Sequence, residues 1–179
     1  DAFEVLVGRY EKRMFNIAYR ITGSYEDASE IAQDAFLSAY RSIKKFRGEA
    51  RFATWLTGIV VNHAKNRLKQ IRIRSHYEGL SMDNPSETEV RKIVYEPRSE
   101  ELPAVEQLEK RELQEKVQAC INTLDKEQRE VLVLRDIQGF SYEEIRDILC
   151  IPDGTVKSRL FRARETMKSS LKKVFGESC

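Results

Sequence analysis

No run of this 179-residue chain is apolar for long enough to cross a bilayer, and no signal-peptide pattern opens it. Cysteine is scarce: Cys120, Cys150 and Cys179 are an odd number, widely spaced, with no CxxC and no histidine-rich partner segment. That spacing argues against a zinc site and gives a disulfide framework no support, so Cys120 and Cys150 are expected to pack as small hydrophobes. The histidines, His63 and His76, lie in a basic stretch without an HxH, HExxH, GxSxG or P-loop pattern. Clustered carboxylates, which a metal-dependent nuclease needs, are missing from the most basic helices. No metal or other cofactor is expected, and an enzyme is a poor reading. The expected location is the cytoplasm. Because the chain opens at Asp1 without a methionine, it is expected to lack a few N-terminal residues.

Acid is absent from residues 50–77, where Arg51, Lys65, Arg67, Lys69, Arg72 and Arg74 fall. Over residues 78–109 the balance reverses, with Glu78, Asp83, Glu87, Glu89, Glu96, Glu100, Glu101, Glu106 and Glu109 against Arg91, Lys92 and Arg98. A formal charge of +2 would not by itself suggest a nucleic-acid partner, but this sorting does. Charged residues reach 34% and aromatics 9%, a composition that suits a soluble, helix-rich protein.

Helical periodicity marks both ends of the chain. Phe3, Leu6, Val7, Tyr10, Met14, Ile17 and Ile21 predict one helix over residues 3–21. Ser24 and Asp27 resemble a capping box, opening a second helix whose apolar stripe is Ala28, Ile31, Ala32, Ala35, Phe36, Ala39 and Tyr40. Glu30, Gln33, Asp34, Leu37 and Arg41 then look outward. "FRGEARF" breaks the pattern at Gly48, and a third helix is expected from about residue 53 to about 73. Residues 77–103 hold Pro85, Pro97 and Pro103 with serines and acids, and read as a linker with short local structure near "KIVY". As a flexible coil such a segment would span about 30 Å and, stretched, about 90 Å; a DNA turn is about 34 Å. The expected organisation is therefore all-α, with two small helical domains, 1–76 and 104–179, on either side of an acidic linker.

In the second domain a helix is expected over residues 104–123. Asp125 with Gln128 signals another, carrying Val131, Leu132 and Leu134, and Ser141 with Glu144 forms an S-x-x-E capping box for a short third. After "CIPDG" a last helix begins, with Asp153 expected to cap it. Short helix, tight turn and longer basic helix make a helix-turn-helix. Val156, Leu160, Ala163, Met167 and Leu171 form the last helix's buried stripe, so Lys157, Ser158, Phe161, Arg162 and Glu165 face away, flanked by Thr155 and Arg159. A solvated charged face is the plain alternative. The capped helix before it, the turn and an exposed phenylalanine among cations favour contact with DNA.

The stretch "FSYEEIRDILCIPDGTVKSRLFRARETM" resembles region 4 of the extracytoplasmic-function (ECF) sigma factors of bacterial RNA polymerase. "EDASEIAQDAFLSAYRSIKKFRGEARFATWLTGIVVNHAKNRL" resembles their region 2, in the right order and with a variable linker between. The resemblance implies a sigma factor that binds core RNA polymerase and recognises minus-35 and minus-10 promoter elements, under an anti-sigma factor that masks these surfaces. It places docking to the beta-prime coiled coil on Glu30, Gln33, Asp34, Leu37 and Arg41. It places minus-10 recognition on Phe46, Gly48, Glu49, Ala50, Arg51, Asn62, Lys65, Asn66 and Arg67, with an unstacked base between Phe46 and Asn62. Minus-35 recognition falls on Thr155, Lys157, Ser158, Arg159, Phe161 and Arg162. Trp55 reads as core. The chain departs from the family at Glu30, where Asp is usual, at Ala32, at Thr57 and Gly58, where Tyr-Arg is common, and at Asp125, where proline is usual. The Thr57–Gly58 change removes a cation and is expected to loosen the helix.

Two other classes compete. A catalytic protein would need one of the motifs that are absent. A helix-turn-helix regulator that binds duplex DNA by itself explains the second domain and leaves the first without a role; binding to core polymerase separates it from a sigma factor.

Overall fold

The computed structural model describes residues 2–80 and 104–176. Expectations for residues 81–103, including the "KIVY" segment, lie outside them. Seven α-helices and no strand occur among the described residues, and the chain divides into two compact units, Asp1–Tyr95 and Glu96–Cys179.

The first unit is a bundle of α1 (Ala2–Thr22), α2 (Tyr25–Ser42) and α3 (Phe52–Leu80). Ser24 opens α2: its hydroxyl accepts the Asp27 N–H at 3.2 Å, satisfying a donor the helix start leaves free. The expected stripe Ala28, Ile31, Ala32, Ala35, Phe36 and Ala39 is buried, against Met14, Ile17, Ala18 and Ile21 of α1 and Leu56, Val60, Val61 and Ala64 of α3. Tyr40 departs from it. It stands 58% exposed at the last turn of α2, its ring centroid 5.1 Å from that of Phe3 in an edge-to-face contact. A short 3-10 turn (Ile43–Lys45) leads into the loop, where Gly48 takes φ +72, a left-handed conformation glycine adopts without a Cβ penalty.

Helix α3 overruns both its expected end near residue 73 and the expected domain boundary after residue 76. Nothing between Asn62 and Tyr77 breaks a helix: there is neither proline nor glycine, and Lys, Arg and Gln are good helix formers. It also runs unbroken through Gly58, since Thr57 beside it is buried and its hydroxyl meets the Met14 sulfur at 3.9 Å. The departure from the family pattern at Thr57 thus faces the core.

The second unit holds α4 (Ala104–Asn122), α5 (Lys126–Leu132), α6 (Tyr142–Leu149) and α7 (Asp153–Phe175). Asp125 starts α5 by accepting the Gln128 N–H at 2.8 Å. Half-buried Arg129 donates to the Asn122 and Leu124 carbonyls, both at 3.0 Å, which satisfies the end of α4; burial pushes its pKa down. The sequence leads one to expect an uninterrupted helix through Leu134, but a π turn (Val133–Ile137) follows α5. Val131, Leu132, Val133 and Leu134 are all buried across this junction. At α6 the capping box is complete: the Ser141 hydroxyl accepts the Glu144 N–H at 3.1 Å, and the Glu144 carboxylate accepts the Ser141 N–H at 2.9 Å.

Two expectations around the turn fail. Asp153 does not cap α7; Pro152 does, its carbonyl accepting the N–H groups of Thr155 and Val156, so Asp153 becomes the first helical residue and its side chain makes no cap. Cys120 is buried, and burial raises its thiol pKa, but Cys150 is exposed and sits at φ +53 where α6 ends. The αL site that stops α6 turns its side chain outward. A left-handed conformation costs a side-chain-bearing residue about 1–2 kcal/mol, part of which glycine gives back through its freer unfolded chain. Cys150→Gly is therefore expected to stabilise the second unit by about 0.5–1 kcal/mol. A rise of a few degrees in its unfolding midpoint would show this; an unchanged or lower midpoint would show that the αL strain is relieved elsewhere.

Candidate polymerase and nucleic-acid interfaces

Because α2 buries one stripe, Glu30, Gln33, Asp34, Leu37 and Arg41 are all exposed on its other side, Leu37 by 55%. Beside them runs an apolar groove of about 580 Å³ between α1 and α2, with Phe3, Val7, Phe36, Leu37 and Tyr40 among its lining residues and Gln33 on its wall. Sequence periodicity hides this groove, because it treats Phe3, Val7 and Tyr40 as core. The signal that finds it is geometric. The groove's lining runs from Phe3 to Phe15 on α1 and from Ser29 to Tyr40 on α2, so it follows the seam between the two helices along most of its length.

The loop residues Gly48, Glu49, Ala50 and Arg51 are exposed at the α2–α3 end of the bundle. Phe46 is half-buried in an aromatic cluster, 5.0 Å from the Trp55 ring centroid and 5.8 Å from that of Phe52, with Tyr10 a further 5.5 Å from Phe52. Trp55 belongs to that cluster and is only half-buried, so it is not part of the buried core it was expected to join. Asn62 is exposed two turns beyond Trp55, about 10 Å along the helix axis. Phe46 thus lies beside Trp55 near the start of α3, and Asn62 further along the same helix. Asn66 is exposed and Lys65 half-buried on the same side of α3.

Arg67 is engaged by α2. Its Nε donates to Asp27 at 2.6 Å and its Nη2 lies 3.2 Å from Glu30, so the guanidinium closes α3 onto α2. The Asp27 hydrogen bond, with the charges of Asp27 and Glu30, pushes its pKa further up. Arg67 is thus an ion-pair partner of α2 whose side chain remains 36% exposed, and Glu30 is shared between that pair and the outward face.

On α7, Val156, Leu160 and Ala163 are buried, while Met167 and Leu171 are half-buried. Lys157, Ser158, Arg162 and Phe161 are exposed, Phe161 by 69%; Thr155 and Arg159 are half-buried. The cations differ in their surroundings. Lys157 lies 6.0 Å from the centroid of the Tyr142 ring, which also meets Arg135 at 4.9 Å. Arg159 pairs with Glu127 at 2.8 Å, and Arg164 grips Asp136 with two bonds of 2.9 and 2.7 Å. Neither Arg159's pair nor Asp136 is visible in the helix pattern, because both partners come from earlier parts of the chain. Among the described residues no group of three His, Cys, Asp or Glu could hold a metal ion, and no helix is long and apolar enough to cross a membrane.

A three-helix bundle with an outward polar face, joined to a capped helix-turn-helix, is the architecture of a sigma-70-type initiation factor. Residues 6–73 match the family described as "Sigma-70 region 2" and residues 114–167 that described as "Sigma-70, region 4". The chain is 36% identical over 170 residues to the "ECF RNA polymerase sigma-E factor" of Haemophilus influenzae, covering 95% of this chain and 87% of the relative. It is 32% identical over 177 residues to the "RNA polymerase sigma-H factor" of Pseudomonas aeruginosa, covering 99% and 90%. Its fold is shared by a sigma factor RpoE solved with the anti-sigma factor NepR from Bartonella quintana, at a TM-score of 0.72, 22% identity and coverage of 96% and 97%. The chain belongs to the ECF sigma factors. It is a transcription initiation factor, acting with core RNA polymerase at promoters.

The surroundings of the α7 cations separate two effects. Arg162→Ala is expected to cost ~1–3 kcal/mol on the cognate upstream element and to relax specificity at one position. Replacing exposed Lys172 and Lys173, late in the helix, is expected to weaken binding evenly and to reduce the salt slope by about one unit per lost phosphate contact. Salt titrations on matched and mismatched DNA distinguish them; an even loss for Arg162→Ala would move the reading role to Lys157, Ser158 or Arg159.

Proposed function

We propose that the chain divides initiation between two domains, the first running to the end of α3 at Leu80 and the second from residue 104, across the acidic segment between them. The observation that carries this reading is the exposed mixed face of α7, where Phe161 stands uncovered beside Lys157, Ser158 and Arg162. An apolar ring left in water among cations fits sugar or thymine-methyl contact next to phosphate and base-edge contact. This face, with Thr155 and Arg159, reads the minus-35 element.

In the first domain the outward residues Glu30, Gln33, Asp34, Leu37 and Arg41 dock on the beta-prime coiled coil; acids around one exposed leucine suit a mixed contact face. Phe46, Gly48, Glu49, Ala50 and Arg51 hold one part of the melted minus-10 strand, and Asn62, Lys65 and Asn66 a neighbouring part. An unstacked base of that strand lies between Phe46 and Asn62. The protein acts by binding and not by catalysis, and works in the cytoplasm with the polymerase. An anti-sigma factor controls it, in keeping with the partner of the RpoE structure.

Two measurements test this division. Asp34→Lys with Leu37→Ala is expected to weaken core binding while the protein stays folded, since both side chains are exposed; an unchanged pull-down at near-physiological salt would remove the docking assignment. Asn62→Ala is expected to lose a base contact of ~1–3 kcal/mol and so to reduce open complexes while upstream binding persists. Normal opening in a permanganate footprint would make Asn62 structural.

A further inference from the structure

Arg162 makes no hydrogen bond or ion pair among the described residues, whereas Arg159, less than one turn earlier on α7, is held by Glu127 from the first turn of α5 at 2.8 Å. The pair lines a polar cleft of about 320 Å³ together with Asp125, Gln128, Ser158 and Arg162. Charge in this cleft balances, Asp125 and Glu127 standing against Arg159 and Arg162. The Glu127 side chain is 62% exposed, and exposed ion pairs add little to folding stability. What the pair does fix is the direction of a long, otherwise mobile guanidinium. Phosphate contacts carry no sequence information, so a freely sweeping arginine on this face would add affinity for every DNA and narrow the gap between right and wrong sites.

We propose that Glu127 is a specificity-determining residue, clasping Arg159 so that this guanidinium meets DNA at one fixed place instead of reaching for phosphates. The proposal rests on the assignment of α7 to the minus-35 element. With the clasp intact, Arg159 contributes to the matched complex and little to mismatched ones. With Glu127 neutralised, the cleft gains one net positive charge and Arg159 gains a phosphate on any sequence, while its fixed contact on the matched site is lost.

The test is a cycle of Glu127→Gln, Arg159→Gln and the double variant in the full chain, each assembled with core polymerase. Binding is titrated with salt on fragments selected from a random library by the unsubstituted holoenzyme, and on the same fragments with the upstream element scrambled. Glu127→Gln is expected to raise affinity for scrambled DNA roughly three- to tenfold, to steepen its salt slope by about 0.9, and to lower the matched-to-scrambled ratio by a similar factor. On scrambled DNA, Arg159→Gln should leave the slope unchanged when Glu127 is present and should remove the added slope when it is absent. Equal slope changes in both backgrounds overturn the clasp, because Arg159 would then be an ordinary phosphate contact with or without Glu127. A steeper slope for Glu127→Gln that persists in the double variant also overturns it, assigning the effect to the lost acid alone. If the unsubstituted holoenzyme does not distinguish the two fragments, the minus-35 reading of α7 falls and the clasp with it.

Discussion

Burial of Met14, Ile17, Leu56 and Val60 fixes how each helix of the first unit is turned about its own axis, and the direction of every outward residue follows from that. A helix that commits one stripe to a core leaves the opposite face free of any folding requirement. Leu37 and Asn62 are exposed for this reason, and so is Phe161 in the second unit, where Val156, Leu160 and Ala163 play the same part. Function has been written on faces that stability does not use. Substitutions there are expected to leave the fold intact.

Charge is handled in a second way. Arg67, Arg159 and Arg164 lie in the basic segments that first point to nucleic acid, yet each is engaged by a carboxylate from an earlier helix or turn. Counting cations along the sequence therefore overstates the charge free to meet phosphate. The engaged arginines set geometry, between α3 and α2 in one unit and between α7 and the α5 region in the other. The free ones, Arg162 among them, are left to meet the ligand.

This contrast explains what could be read from the sequence. Features set within four residues were legible: the Ser24, Asp125 and Ser141 starts, the apolar stripes, the helix-turn-helix and the outward face of α2. Features that need two distant segments to meet were not. Nothing near Arg67 announces Asp27, and nothing near Arg159 announces Glu127. Tyr40 fits the stripe by spacing but lies past the cover its neighbours provide. Cys150 reads as a small hydrophobe by residue type, and only the αL backbone at the end of α6 turns it outward.

The π turn after α5 has a consequence for how this protein can vary. Such a turn carries one residue more than the α-helical path it replaces. Here it follows directly on α5, and Val133 and Leu134 at its start are buried like Val131 and Leu132 before it. Losing one residue from this segment would restore a regular helix and rotate all that follows by about 100° unless the short loop at Gly139 took up the difference. Gly139 already adopts φ +76, a conformation open to glycine at little cost. The loop at Gly139 is thus where such a rotation would have to be absorbed for α6 and α7 to keep their packing on the rest of the unit.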